Sequence, residues 1–308
     1  MKIAFFEIKE EERVFFETHL KDYELFFFEK SIQEVLTKPE AYDAVSVFID
    51  SRISDDILDK LPELSYLQTR SSGYDHVKCT QLYKRGLKVS NVAGYAGPAV
   101  AEFAFSLLLN ATRKTHISLD RSKKENKDYL DLKGIELFAK TIGILGLGTI
   151  GLQMAKIAKG FGMDVLGYSR TKKPVFNALG IHFVSLEEVL KHADILMIAL
   201  PLTPLTQNLI NKENSKLINK KTIIVNIARA EIIEESLYYE LANSIASDVC
   251  SDISLAQKKD FLYTPHIGYY TREALKRILE ISLQNMEQYL RGETPQNCLR
   301  FECKKNYS

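Results

Sequence analysis

The sequence predicts an α/β protein built from two parallel-sheet units, and three observations carry that expectation. Through roughly the first 90 residues, short apolar runs alternate with charged segments at helical spacing, as strands joined by crossover helices do. The same alternation resumes at Thr141. A glycine-rich turn opens that second stretch, with an apolar run before it and a helical pattern after it. The 308 residues are enough for two ordinary domains of about 100–200 residues each.

In chain order, the first unit has candidate strands at Lys2–Phe6, 23–28, 43–49, 66–70 and 87–91. The aromatic run 26–28 reads as a buried strand rather than a binding site, because aromatic rings fit a packed, pleated surface. Residues 99–113 form a mostly buried helix with Phe103, Leu107 and Leu108 on its apolar stripe. Residues 115–133 are polar without a clear period and read as an extended arm or surface excursion. The second unit has strands at Thr141–Leu145, Asp164–Tyr168, 194–200 and 222–227. Ser185-Leu-Glu-Glu188 is a capping box that starts a short helix. Residues 272–291 form a long amphipathic helix, with Leu275, Leu279, Met286 and Leu290 near one face. The sequence contains no internal repeat and no low-complexity segment.

Composition narrows the function classes. Hydrophobic residues at 45% and charged residues at 26% are ordinary for a globular protein. A formal net charge of +1 supplies no field that favours nucleic acid or an anionic membrane. No apolar run approaches the roughly 18 residues of a membrane span. The first ten residues hold too short an apolar stretch for a signal-peptide core. Cys79, Cys250, Cys298 and Cys303 are scattered, lack paired metal-ligand spacing, and suit a reduced, cytoplasmic setting.

The sharpest motif is Gly146-Leu-Gly148-Thr-Ile-Gly151. A GxGxxG match is weak alone. Here the apolar run 142–145 precedes it, and Ile150, Met154, Ile157, Ala158 and Phe161 follow at helical spacing before the strand Asp164–Tyr168. In such a βαβ unit, Gly146 makes the tight turn, Gly148 lets backbone approach a pyrophosphate, and Gly151 lets helix pack on strand. The helix start at Thr149 and Ile150 then offers N–H groups to the phosphates. NAD binders usually carry Asp or Glu at the end of the second strand, about 20 residues on. This chain reads Gly167-Tyr-Ser169-Arg170-Thr171-Lys172-Lys173, with no carboxylate. A cationic, hydroxyl-bearing loop suits a 2′-phosphate and favours NADP(H) over NAD, the alternative being a solvated basic loop on an NAD enzyme.

Three further segments, Arg70-Ser-Ser-Gly73-Tyr-Asp-His76, Val225-Asn-Ile-Ala-Arg229-Ala-Glu231 and Tyr263-Thr-Pro-His266-Ile-Gly268, follow one another in a telling order. Together with the glycine turn, with Asn91 to Glu102 and with Pro201-Leu-Thr-Pro-Leu-Thr206, they resemble the D-isomer-specific 2-hydroxyacid dehydrogenase family over nearly the whole chain. Tyr95 before Val100-Ala-Glu102 looks closest to the D-lactate dehydrogenase branch. The resemblance implies two Rossmann/flavodoxin-like parallel-sheet domains, with the cofactor domain inserted into a split substrate domain. The substrate domain would comprise residues 1–95 and 275–308, and the NAD(P)-binding Rossmann domain residues 96–274. It further implies an active site in an interdomain cleft that closes over the chemistry, and a homodimer formed through the cofactor domain.

The residue types suit the reaction that the resemblance implies. Reducing a 2-oxo acid needs a cation to polarise the carbonyl and anchor the carboxylate, the role implied for Arg229. It also needs a proton donor for the developing alkoxide, the role implied for His266, since imidazole titrates near neutral pH. Backbone N–H groups around Ser72 and Gly73 would hold the substrate carboxylate, and Tyr95 would line the pocket. Pro201, Thr206, Ile227 and Ala228 would lie along the cofactor.

The chain departs from the family between Arg229 and His266. A Glu normally hydrogen-bonds the His there, shortly after an Asp-Val pair and followed by Pro. This chain reads Asp248-Val-Cys-Ser-Asp252-Ile253 and then Gln257, with no Glu and no Pro, and the segment is roughly ten residues shorter. Taking Asp248-Val249 as the pair puts Ile253 at the Glu position beside Asp252; taking Asp252-Ile253 puts Gln257 there. Asp252 is the candidate partner of His266, with Gln257 or no partner as the alternatives. Ala230 stands where the family usually has Gly. The leading function is an NAD(P)-dependent D-2-hydroxyacid dehydrogenase acting on a D-lactate-, glyoxylate- or hydroxypyruvate-type acid. The alternative is a dinucleotide-binding, corepressor-like regulatory protein with little turnover, and altered chemistry such as formate or phosphite oxidation is a weaker third.

Overall fold

A computed structural model describes residues 1–77, 81–241, 245–258 and 261–299; Cys79 and Cys303 lie outside them. The chain divides into two compact units, Met1–Tyr95 with the chain from Arg272 onward, and Ala96–Thr271.

The first unit runs β1 (Lys2–Phe6), α1 (Glu10–His19), β2 (Glu24–Phe28), α2 (Ile32–Val35), β3 (Ala44–Val47), α3 (Asp55–Asp59), β4 (Tyr66–Thr69), α4 (Gln81–Lys84) and β5 (Lys88–Ser90). Among the described residues these strands form one parallel sheet in the order β2-β1-β3-β4-β5. Ile3 to Phe6 are fully buried in β1 because the sheet is covered on both faces. The aromatic run lies in β2 as expected, but β2 is the edge strand and its rings are only half-buried. Phe27 and Phe28 stack on their register partners Phe5 and Phe6 at centroid distances of 5.2 and 4.9 Å.

At the C-terminal edge of this sheet, Arg70 is 1% exposed. Its Nη2 donates to the carbonyls of Phe6 and Glu7, both at 2.8 Å, and its Nη1 to the Ser46 hydroxyl at 3.2 Å. Burial pushes this guanidinium's pKa down, with Glu12 and Glu7 opposing. Glu7, at φ 55°, in turn accepts the N–H groups of Phe48, Asp50 and Ser51. The turns after β1, β3 and β4 are thereby tied together beside Ser71–Gly73.

The second unit begins with α5 (Gly97–Arg113) and α6 (Thr115–Lys123) and continues through β6 (Thr141–Leu145), α7 (Thr149–Gly160), β7 (Asp164–Tyr168), α8 (Pro174–Ala178), β8 (Ile181–Phe183), α9 (Leu186–His192), β9 (Ile195–Ile198), β10 (Ile223–Asn226), α10 (Glu235–Glu240), β11 (Ile245–Ser247) and β12 (Leu262–Tyr263). Its parallel sheet, again among the described residues, has the order β12-β11-β10-β9-β6-β7-β8. Of residues 115–133, expected as an extended arm or surface excursion, Thr115–Lys123 are helical rather than extended. No residue of α6 is buried, so it has no apolar stripe to betray it; Arg121 grips Asp131 with both η nitrogens at 2.6 and 2.7 Å. Ser185 caps α9 as its box predicts, accepting from the Glu188 N–H.

The chain returns to the first unit with α11 (Arg272–Leu290). Its buried face is Ala274, Ile278, Ser282, Leu283, Asn285 and Met286, with Leu275, Leu279 and Leu290 flanking it half-buried rather than leading it. No helix among the described residues is long and apolar enough to cross a membrane.

Candidate active site

The order of the seven-stranded sheet reverses between β6 and β9, the place where open α/β sheets take ligands at their C-terminal edge. The glycine turn lies there. Gly146 has φ 103° and donates its N–H to the Tyr168 carbonyl at 2.8 Å; a Cβ on it would stand 2.6 Å from the Ala199 carbonyl oxygen. A Cβ on Gly151 would come within 1.9 Å of the Gly146 carbonyl oxygen. Gly148 is exposed, and a Cβ there would meet nothing within 4 Å. Leu152 makes the first helical bond back to Gly148, so the amides of Thr149, Ile150 and Gly151 have no intrahelical acceptor. An open, side-chain-free approach onto spare amides at a helix start fits a dinucleotide's diphosphate. At the end of β7, Ser169 is half-buried, and Arg170, Thr171, Lys172 and Lys173 are exposed.

Two more turns leave the same edge. After β9, the Thr206 hydroxyl donates to the Pro201 carbonyl at 2.6 Å and accepts the Thr203 N–H at 2.8 Å, folding that loop on itself. After β10, the fully buried Asn226 accepts from the Ala228 N–H at 3.0 Å and donates to the Arg229 carbonyl and the Tyr238 hydroxyl. One side chain thus fixes Ile227, Ala228 and Arg229. Arg229 is half-buried and extended, with Nη1 donating to the Ala228 carbonyl at 2.8 Å. Ala230 opens a 3-10 turn without positive φ, so a glycine is not required there.

His266 follows β12 at φ 54°, a conformation costly for a residue with a Cβ. A residue the sequence reading left without a role holds it. Asp248, at the end of β11 and 2% exposed, accepts the His266 N–H on its main-chain carbonyl at 2.9 Å. Its carboxylate accepts from the Thr264 hydroxyl at 2.6 Å, the Ile267 N–H at 3.0 Å and the Gly268 N–H at 2.8 Å. A Cβ on Gly268 would lie 2.9 Å from that carboxylate, so glycine makes the grip close. The signal for it in the sequence was its place in the Asp248-Val249 pair.

Asp252 lies in the segment between β11 and β12. Its carboxylate accepts from the Tyr239 hydroxyl and, at 2.8 Å each, from the N–H and hydroxyl of Ser254, capping the 3-10 turn Ile253–Gln257. These donors hold its pKa below the usual carboxylate range, the Tyr239 bond foremost. Ile253 is 73% exposed and Gln257 is exposed. The fold therefore brings Arg229, Asp248 and His266 to successive strand ends, while the Asp252 carboxylate serves its own turn.

In the five-stranded unit, Ser71 to Gly73 leave the end of β4. The Ser71 carbonyl accepts the Val92 N–H at 3.0 Å, the Ser72 carbonyl accepts Asn91 Nδ2 at 2.7 Å, and the Gly73 carbonyl accepts the Ser71 hydroxyl at 2.6 Å. The Ser72 hydroxyl donates to the Val92 carbonyl at 2.8 Å. Among the described residues, the Ser72 and Gly73 N–H groups donate to no protein acceptor. Every carbonyl of the turn is engaged and these two donors are left over, which suits an anion. Tyr95 is 6% exposed, and its carbonyl accepts Arg277 Nε at 2.7 Å.

A sequence profile of the D-isomer specific 2-hydroxyacid dehydrogenase NAD binding domain matches residues 105–268. The glyoxylate reductase of Thermococcus kodakarensis is 32% identical over 290 residues, which cover 88% of this chain and 87% of that protein. Among solved structures, the D-lactate dehydrogenase of Aquifex aeolicus complexed with NAD and lactic acid superposes with a TM-score of 0.88 at 27% identity, over 97% of this chain and 99% of that one. The apo D-lactate dehydrogenase of Escherichia coli does so with a TM-score of 0.85 at 28% identity, over 97% and 100%.

Proposed function

The chain belongs to the D-isomer-specific 2-hydroxyacid dehydrogenase family, nicotinamide-dependent oxidoreductases of 2-oxo and D-2-hydroxy acids, and from that premise we propose that it reduces a small 2-oxo acid of the glyoxylate, pyruvate or hydroxypyruvate type, with NADPH preferred. What most supports this reading is that Arg229 and His266 leave the same strand edge as the glycine turn, each held by a buried polar residue, Asn226 and Asp248.

The amides at Thr149, Ile150 and Gly151 would bind the diphosphate of the dinucleotide. Pro201, Thr206, Ile227 and Ala228 would border the rest. Ser169, Arg170 and Thr171 would take a 2′-phosphate through charge-assisted hydrogen bonds. A bound reduced nicotinamide supplies the hydride that reduces the substrate carbonyl carbon. Arg229 polarises that carbonyl and stabilises negative charge on its oxygen, and the His266 imidazolium delivers the proton that makes it a hydroxyl. In the other direction His266 takes the proton back. In the five-stranded unit, the N–H groups of Ser72 and Gly73 bind the substrate carboxylate and Tyr95 lines the pocket. Asp252, tied to Tyr239 and Ser254, is the weakest member of the proposed set; Asp248 is the better support for His266.

The relatives named above act on glyoxylate and lactate, which sets the substrate size to be tried first. Initial rates of NADPH and NADH oxidation with glyoxylate, pyruvate and hydroxypyruvate, in wild type and His266→Ala, test the reading. Turnover that prefers NADPH and is lost in the variant supports it. Dinucleotide binding without turnover on any of the three moves the reading to a regulatory protein. The observation that keeps that second reading is the shortened segment before His266, where Ile253 and Gln257, the two residues that could take the place the family gives to Glu, are both exposed. A homodimer is also proposed: Leu119, Tyr129, Leu130 and Phe138 expose 64–82% of their surface within one short stretch. A cytoplasmic setting, drawn from the scattered cysteines, remains part of the proposal.

A further inference from the structure

We propose that Asn91 is a positioning residue for the substrate carboxylate: it aims the Gly73 N–H by holding the carbonyl of the Ser72–Gly73 peptide, and Asn285 of α11 holds Asn91 in place. The inference rests on the reading that the Ser72 and Gly73 amides bind that carboxylate.

A trans peptide is planar, and its C=O and the next residue's N–H point in opposite directions. Whatever fixes the Ser72 carbonyl therefore fixes the Gly73 N–H. Asn91 Nδ2 fixes that carbonyl at 2.7 Å. Only a donor can do this, so the Asn91 amide turns its NH₂ to the Ser72 carbonyl. The neighbouring bonds leave the turn little freedom. The Ser72 hydroxyl is bound to the Val92 carbonyl, and the Ser71 carbonyl to the Val92 N–H. Asn91 and Val92 thus form a rail along which the turn is laid.

Asn91 is itself pinned. It is 7% exposed, its carbonyl accepts Asn285 Nδ2 at 3.0 Å, and its N–H donates to the Asn297 carbonyl at 3.2 Å. Asn285 is fully buried, and its Oδ1 accepts Asn297 Nδ2 at 3.2 Å. A polar residue at the centre of a helix's buried face is unusual, and a leucine there would fill the volume with better hydrophobic return. Its two bonds to the strand end and the tail explain its presence. The relay runs from α11 through the end of β5 to the turn after β4, within one compact unit.

The test is oxamate binding by calorimetry to the NADPH-saturated enzyme, beside KM and kcat for glyoxylate. Asn91→Asp keeps the shape and removes the donor; Asn91→Ala removes both. Each is expected to raise the oxamate Kd and the glyoxylate KM by about tenfold to a hundredfold, the scale of one misdirected hydrogen bond to a charged group, with the NADPH Kd within about twofold of wild type. Asn285→Ala acts at one remove, is expected to raise both by a few fold, and keeps the test open if neither Asn91 variant folds. Gly73→Pro removes the N–H itself and checks the underlying reading. If Gly73→Pro weakens oxamate but none of the Asn variants does, the relay is wrong and the carboxylate site stands. If Gly73→Pro is harmless as well, the carboxylate reading falls and takes the relay with it. A loss of thermal stability in the Asn variants with unchanged oxamate Kd marks a purely structural role and overturns the proposal.

Discussion

Replacing Asp248 with Asn keeps the outline of the side chain and removes one acceptor. In the native fold the carboxylate takes three donors, from Thr264, Ile267 and Gly268. An amide offers one oxygen, and its NH₂ must face either Gly268 or the Thr264–Ile267 side. The Thr264 hydroxyl can turn to accept; a backbone N–H cannot. In either orientation one N–H loses its partner, and a buried orphan costs about 1–3 kcal/mol. The bonds that survive lose their charge assistance, worth roughly another 1 kcal/mol. A total near 3 kcal/mol corresponds to a drop of about 6–12 °C in Tm for a unit of this size. The bond from the His266 N–H to the Asp248 carbonyl is main-chain and persists, so the loop stays attached but loosens on both sides of the imidazole. A shift near 1 Å at a catalytic group costs up to about a hundredfold in rate. Calorimetry of Asp248→Asn should show the lowered transition, and initial rates with saturating glyoxylate should show kcat reduced by about tenfold or more, with dinucleotide Kd unchanged. Wild-type kcat together with wild-type Tm would refute the reasoning that Asp248 holds His266.

Gly151→Ala should abolish dinucleotide binding or soluble expression, because its Cβ would stand 1.9 Å from the Gly146 carbonyl oxygen; fluorescence titration with NADPH checks it. Ser169→Asp combined with Arg170→Ala should turn cofactor preference toward NADH by at least about tenfold in kcat/KM, since an acid there repels a 2′-phosphate and binds ribose hydroxyls; an unchanged ratio of NADPH to NADH rates removes Arg170 from the site. Arg229→Lys should lose about a hundredfold in kcat/KM despite the retained charge, because an ammonium cannot form the planar fork, and steady-state rates measure it. Asp252 has a folded pKa below its ordinary value, so the stability it contributes is present above the usual carboxylate range and lost as pH falls through the folded pKa. Tyr239→Phe should therefore be less stable than wild type at neutral pH, and urea midpoints of the two proteins should draw together as pH falls below the usual carboxylate range.

The strand β1, the βαβ unit of β6, α7 and β7, and the capping box at Ser185 were legible because each rests on a local rule: a continuous apolar run, glycines at fixed spacing, a hydroxyl three residues ahead of a Glu. What escaped had no such rule. The strands β8, β11 and β12 are two or three residues long and too short for any period. The helix α6 buries nothing. On α11 the four spaced long side chains pointed to the wrong centre of the buried stripe, because Asn285 is buried for the sake of the Asn91 carbonyl. Arg229 and His266 stood out because they sit inside motifs. Asp248 and Asn91 also lie in matching segments but drew no role, because their work is done on backbone groups far along the chain, and a partner 19 or 20 residues away leaves no mark on the local pattern.

The first unit is discontinuous in the chain, and this has a consequence during synthesis. The face of its sheet formed by Ile3, Phe5 and Tyr66 is completed by Leu283 and Met286 of α11. At about 5–20 residues per second, the ribosome spends on the order of ten to thirty seconds on the stretch Ala96–Thr271 before α11 emerges. The second unit, continuous in sequence, can fold in that interval. The α1 residues Phe16 and Leu20 can cover part of that face meanwhile, but the part around Tyr66, on which Tyr289 of α11 stacks, waits exposed, and a chain stalled in that window is the form a cell's holdase chaperones would meet.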